Sequence, residues 1–250
     1  MLGGTTERPI AVATGWVLVV GIAEVVLLVN ALAGVIVHAF IVATILATHA
    51  PGRSLPLAAM AMPSLLRIVS LTVPHPQIPV AAWYFLVGGS VLVAAPLVMR
   101  ADARSAATVG LTVGARAPQL MIAASGIPLG LVLAFAAASS LPSLAPASTS
   151  ATLTVLLSLG PFVAFPEELV FRGILQRALA EKIGGVAVVL VAVTYASMFL
   201  GTRSTPAVLV MACAGLIFGV GAQRSGSIAD TTVAHTIMLI VASVMGPTFT

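Results

Sequence analysis

Pro166, Glu167, Glu168, Leu169, Val170, Phe171, Arg172 and Gly173 follow one another in a chain where only 7% of the residues are charged, against about 25% in an ordinary soluble domain. On a helix Glu168 and Arg172 stand four apart with the acid on the N-terminal side, the favourable order for an ion pair along one face. Glu167 lies about 100° further round and cannot share that lateral contact. One carboxylate is therefore left uncommitted, and in an apolar setting it is a candidate general base. His235 stands in a late apolar run and is the only histidine downstream of the doublet. An ionisable group at membrane depth is by default a functional candidate, because burying it unpaired costs at least a few kcal/mol.

The elements that must position these groups are transmembrane helices. Apolar residues make up 60% of the chain and its mean hydropathy is +1.16. Apolar runs fit helices at 11–29, 32–49, 56–73, 80–99, 118–138, 151–165 (or on to 182), 186–201, 206–222 and 228–246, and about 20 helical residues cross a hydrocarbon core. The fold class is all-α, a polytopic transmembrane helical bundle of eight or nine spans; the dyad alternation of a barrel is missing. Turn chemistry marks the breaks, at Pro51-Gly52, Pro74-His75-Pro76, 100–116, 139–150, Gly184-Gly185 and Arg224-Ser225-Gly226. The uncharged stretch 139–150 divides N-terminal transmembrane helices (1–147) from a core that carries the acidic doublet and the late histidine (148–250). The first run is too long for a signal peptide and reads as an anchor. Cys213 has no cysteine to pair with.

A pI near 10.2 suggests nucleic acid in a soluble protein. Here the basic residues sit between spans, so topology accounts for them and no nucleic-acid partner is expected. Threading the spans places Arg8, Arg53, Arg100, Arg104, Arg116, Arg172, Arg177, Lys182 and Arg224 on one side and Arg203 on the other. The positive-inside rule makes the first side, with the N-terminus, cytoplasmic. The expected location is a prokaryotic plasma membrane, with lipid as the surrounding partner.

The segment from Pro161 to Leu179, PFVAFPEELVFRGILQRAL, resembles the first signature of the CAAX protease and bacteriocin-processing family of intramembrane endopeptidases. RSGSIADTTVAHTIMLI, ending at Ile240, is similar to that family's closing signature. The resemblance spans roughly 150–245, and Ala107 to Gly114 is faintly similar to a segment that often precedes it. It implies hydrolysis of a peptide bond in a membrane-associated peptide or protein, by a metal-dependent or a glutamate-dependent route. Residue by residue, Glu167 matches the water-activating acid, Glu168 and Arg172 the supporting pair, and His235 the late histidine. A divalent metal such as zinc, if used, would take Glu167 and His235 as ligands.

Two positions depart from the pattern. Phe199-Leu200-Gly201-Thr202-Arg203 puts arginine where a histidine is expected, and His235-Thr236-Ile237-Met238-Leu239 puts leucine in place of an amide. Arginine offers donors only and cannot ligate a metal. It could clamp Glu167 or stabilise an oxyanion. Leucine removes a donor of the kind whose loss costs other enzymes about 10²- to 10³-fold. If 151–182 is one helix, Arg203 is expected near Glu167; if the chain breaks at Pro166, it is not.

Other polar residues read as structural. Glu24 and Arg67, in the first and third spans, are expected to neutralise each other. Gly215-x-x-x-Gly219 suits close helix contact, within the bundle or in a homodimer. His38, His49 and His75 show no ligand-like spacing, and Asp230 reads as a helix N-cap. Three function classes follow. The first is an intramembrane endopeptidase, weakened or not by Arg203 and Leu239. The second is a non-catalytic relative acting as a peptide-binding or immunity scaffold. The third is a small proton-coupled transporter using Glu24, Glu167 and His235, which lacks the matched broken helices of inverted repeats.

Overall fold

A computed structural model describes residues 7–48, 56–74, 77–113, 116–136 and 149–246. His49, Arg53, His75 and most of the 139–150 boundary lie outside them. The described chain is helical: α1 Glu7–Val29, α2 Ala31–Thr48, α3 Leu57–Thr72, α4 Val80–Ala101, α5 Arg116–Ala136, α6 Thr149–Ile183, α7 Val186–Ser197, α8 Thr205–Ser225 and α9 Ala229–Met245. Six of the described helices, α1, α2, α4, α5, α6 and α8, are long and apolar enough to cross a membrane, and the apolar helices at Ala58–Thr72, Val186–Thr202 and Ala229–Met245 are shorter. Large apolar side chains stand exposed on their outer faces, among them Leu18, Phe40, Leu120 and Phe135. A soluble monomer rarely presents such a belt, and lipid contact accounts for it. The chain is an integral membrane protein.

The decisive element is α6, which does not break at Pro166. Proline has no N–H for the i−4 carbonyl and its ring crowds that carbonyl. The helix accommodates this by widening: residues 160–164 and 169–176 are π-helical, with ordinary α-helix only at Phe165–Glu168 between them. The Phe165 amide reaches back to the Gly160 carbonyl, five residues away. Such widened turns are rare and concentrate at functional sites. The second widened run buries all of its residues, from Leu169 to Gln176.

The ends of α4, α6 and α8 meet. Arg104 pairs with Glu181 through two 3.0 Å hydrogen bonds, the Arg177 guanidinium donates to the Ala222 carbonyl, and Ile228 N–H donates to the Gly110 carbonyl. Asp102 accepts from the Ala59 amide at 2.8 Å, capping α3 from a distant part of the chain. Asp230 is not the N-cap of α9: it lies buried in the first turn, while the Ser227 hydroxyl accepts from the Ala229 amide. Gly215 and Gly219 pack inside the bundle, against Ala192 and against Val188 and Gln176.

α9, which carries His235, packs most extensively on α5. The approach depends on Gly126, where an added Cβ would stand 2.2 Å from the Ala234 carbonyl oxygen. Gly126→Ala is expected to destabilise the fold by about 2 kcal/mol, the scale of overpacking, while Gly89→Ala, which meets nothing within 4 Å, is tolerated. Thermal unfolding of both variants in detergent checks this.

Candidate active site

The two carboxylates of the doublet have different surroundings because adjacent helical residues face different ways. Glu168 points into the bundle and is fully buried with Arg172. Arg172 Nη1 donates to Glu168 Oε1 at 3.0 Å, which is the lateral pair expected from the i, i+4 spacing. The guanidinium lies 4.4 Å from the Tyr195 ring centroid, with the Phe171 and Phe218 rings also within 6 Å. Aromatic faces thus replace part of the hydration that the buried cation has lost.

His235 enters from α9 and closes the cluster. Its Nδ1 stands 3.0 Å from the same Glu168 oxygen. A carboxylate only accepts, so Nδ1 carries the proton of this bond and Nε2 is left to face Glu167 and Tyr195. The Tyr195 hydroxyl is 3.3 Å from Nε2, and Glu167 Oε2 is 3.8 Å from it without a hydrogen-bond partner. That separation is too long for a direct bond and suits an arrangement bridged by one water. Glu167 is the accessible member, 20% exposed. It lines a cavity of about 330 Å³ with Tyr84, Trp83, Phe162, Phe199, Met198 and Arg67 among its walls.

Glu167, Glu168, Arg172 and His235 therefore meet in one place, and Arg203 does not join them. α6 is continuous, yet the arrangement expected of Arg203 fails. Residue 203 takes a left-handed backbone conformation at the end of a short 3₁₀ turn, and its exposed guanidinium donates to the Leu28 carbonyl at the end of α1. It can neither clamp Glu167 nor meet an oxyanion from there. Leu239 is a partly buried packing residue.

The donor set falls short of a catalytic zinc site, which usually takes three protein ligands and a water. Glu168 is tied through Oε1 to Arg172 and to His235 Nδ1, with Oε2 buried and unpartnered, and the remaining donors are Glu167 and His235 Nε2. Among the described residues no group of three or more His, Cys, Asp or Glu side chains is placed to hold a metal.

Tyr195 was invisible to motif reading, although its position four residues before Phe199 places it on the same helical face as the second motif. Tyr195→Phe keeps the ring against Arg172 and removes only the hydroxyl. Losing one hydrogen bond of roughly 0.5–1.5 kcal/mol predicts a drop in turnover of up to about tenfold, read from kcat of the variant.

With the geometry in place, the chain can be set beside known proteins. Residues 149–241 match the family model described as type II CAAX prenyl endopeptidase, Rce1-like. This part of the chain is similar to that family. The match runs from the start of α6 into α9 and takes in the whole cluster, so the resemblance read from the two signatures stands. It supports a function related to CAAX-type intramembrane proteolysis. No curated protein and no solved structure matches the chain. The matched segment supplies Glu167, Glu168, Arg172, Tyr195 and His235, whereas α3 and α4, outside the match, supply Arg67 and Tyr84 to the cavity wall.

Proposed function

We propose that the protein is an intramembrane endopeptidase in which Glu167 and His235 activate a water on either side of a 3.8 Å gap. The observation that carries this reading is the gap itself, bounded by a Glu167 that also lines a cavity with apolar walls. In the reaction Glu167 takes a proton from the water as its oxygen bonds to the scissile carbonyl carbon. The tetrahedral intermediate then collapses, the C–N bond breaks, and Glu167 returns the proton to the departing amine. His235 orients the water through Nε2, held in one tautomer by Glu168. Glu168, tied to Arg172, serves as the fixed partner. The apolar cavity suits a substrate with a greasy segment beside the cleaved bond, as a prenylated chain end would be. A prokaryotic plasma membrane with the N-terminus inside belongs to the same proposal, supported by the crowding of basic residues at the shared ends of α4, α6 and α8.

The test is cleavage of an S-prenylated, internally quenched peptide by the full chain in proteoliposomes, wild type against Glu167→Gln. Cleavage that survives the substitution overturns the reading. Absence of cleavage by the wild type favours the scaffold reading instead.

A further inference from the structure

α1, α2 and α3 build a second buried polar cluster. Arg67 on α3 donates to both oxygens of Glu24 on α1, from Nε at 2.8 Å and from Nη2 at 2.7 Å. The expected neutral pair is present. Nη2 also donates to the Met198 carbonyl, beside the Phe199 that opens the degenerate second motif. His38 stands 3.4 Å from Glu24 Oε1 through Nε2 and 3.1 Å from the Ser64 hydroxyl through Nδ1. Carboxylate, imidazole and hydroxyl follow the order of a nucleophilic triad. Ser64 and His38 are nonetheless fully enclosed and neither lines the cavity. Substrate has no approach to Ser64, so the network acts as a brace for Glu24 and, through it, for Arg67.

Arg67 differs from the rest of that network in reaching the reaction chamber. Its side chain is 16% exposed and lines the same cavity as Glu167. Two of its three nitrogens, Nε and Nη2, are spent on Glu24 and Met198, which leaves Nη1 uncommitted. A guanidinium so held cannot swing away, and Glu24 balances its charge in the resting protein.

We infer that Arg67 is a catalytic residue whose Nη1 donates to the carbonyl oxygen of the scissile bond as that oxygen becomes an oxyanion. The inference rests on the proteolytic reading above. As water oxygen bonds to the carbonyl carbon, the carbonyl π pair moves onto its oxygen and Nη1 meets that charge; collapse returns the pair to the carbonyl as the C–N bond breaks. A fixed donor in a cavity with mostly apolar walls is worth far more than one in bulk water. The role fills two gaps in this chain: Leu239 has no donor to give, and Arg203 is engaged with α1. The donor comes from outside the segment that matches the family.

Two probes test this with full-length protein in proteoliposomes: the S-prenylated reporter peptide, and the same peptide with a phosphinate in place of the scissile amide. Arg67→Gln is expected to lower kcat about 10²- to 10³-fold with KM nearly unchanged. It should weaken phosphinate binding by a similar factor while amide binding holds. A raised KM with kcat intact, or equal weakening of both peptides, overturns the role. Should Arg67→Gln fail to fold because Glu24 is left bare, Glu24→Gln/Arg67→Gln removes both charges, and a folded double variant with wild-type kcat overturns the role equally. Loss of activity in Glu167→Gln with full activity in Arg67→Gln sinks this inference alone, whereas an active Glu167→Gln sinks the proteolytic reading. If the wild type cleaves nothing, a phosphinate preference that disappears in Arg67→Gln supports the oxyanion site, and no preference in the wild type overturns it.

Discussion

Glu167→Gln is expected to lower kcat by about 10²- to 10⁴-fold, the usual contribution of a positioned general base, while leaving the protein folded. Glu167 Oε2 makes no hydrogen bond and its side chain lines the cavity, and the isosteric amide keeps an oxygen that can accept from the Tyr195 hydroxyl. A loss of turnover without a change in unfolding temperature therefore separates chemistry from structure at this position. Glutamine keeps the shape of the cavity wall, so KM of the prenylated reporter should change little, and single-turnover measurements should place the defect in the bond-breaking step.

The largest effect on stability is expected at the neighbouring pair. Arg172 and Glu168 are both fully buried, and removing one partner of a buried pair leaves an uncompensated charge, typically at a cost of about 3–5 kcal/mol. Arg172→Ala is expected to fall in that range and also to empty the space between the Phe171, Tyr195 and Phe218 rings. Glu168→Leu/Arg172→Met removes both charges and keeps most of the volume. Buried pairs replaced by apolar side chains of similar size are often no less stable. The double variant should unfold near the wild-type temperature and yet be inactive, because His235 Nδ1 has lost the carboxylate that fixes its tautomer. Recovery of both stability and activity would show that Glu168 has no part in aligning His235.

Much of this site was legible before any coordinates because charge is scarce. In a chain this apolar, each ionisable side chain must find a partner, and spacing alone picks out Glu168 with Arg172. Glu24 with Arg67 followed from both lying inside apolar spans. His235 came from its depth and from the resemblance of its surroundings. The all-helical bundle was equally legible, since apolar runs of this length leave the backbone few alternatives.

What the sequence hid has physical reasons as well. Arg203 was placed by counting along spans, but a left-handed residue at a helix end turns the side chain out of the line that counting assumes. Tyr195 and Tyr84 are amphipathic and look like packing until a polar neighbour is known. The role of Arg67 depends on how α3 lies against α6 and on the Met198 carbonyl just past α7, a long-range arrangement without a local signal. His38 was set aside for want of a ligand-like interval, whereas its partners Glu24 and Ser64 come from two other helices. Asp230 sits in the first turn, two residues past the N-cap position Ile228, and the Ala229 amide already donates to the Ser227 hydroxyl.

The widened runs on either side of Phe165–Glu168 have a consequence for how this protein tolerates change. Each holds an excess residue relative to an ordinary α-turn, so the direction in which the acidic doublet faces is set by chain arithmetic on both flanks. A one-residue deletion in 160–164 is expected to be absorbed as regular α-helix with both flanks nearly in register, whereas a deletion in the ordinary α-helical turns before it swings everything upstream by about 100° relative to the doublet. Membrane insertion would survive the second event and the geometry of hydrolysis would not. The widened runs are where this helix can change length with the doublet still facing the same way.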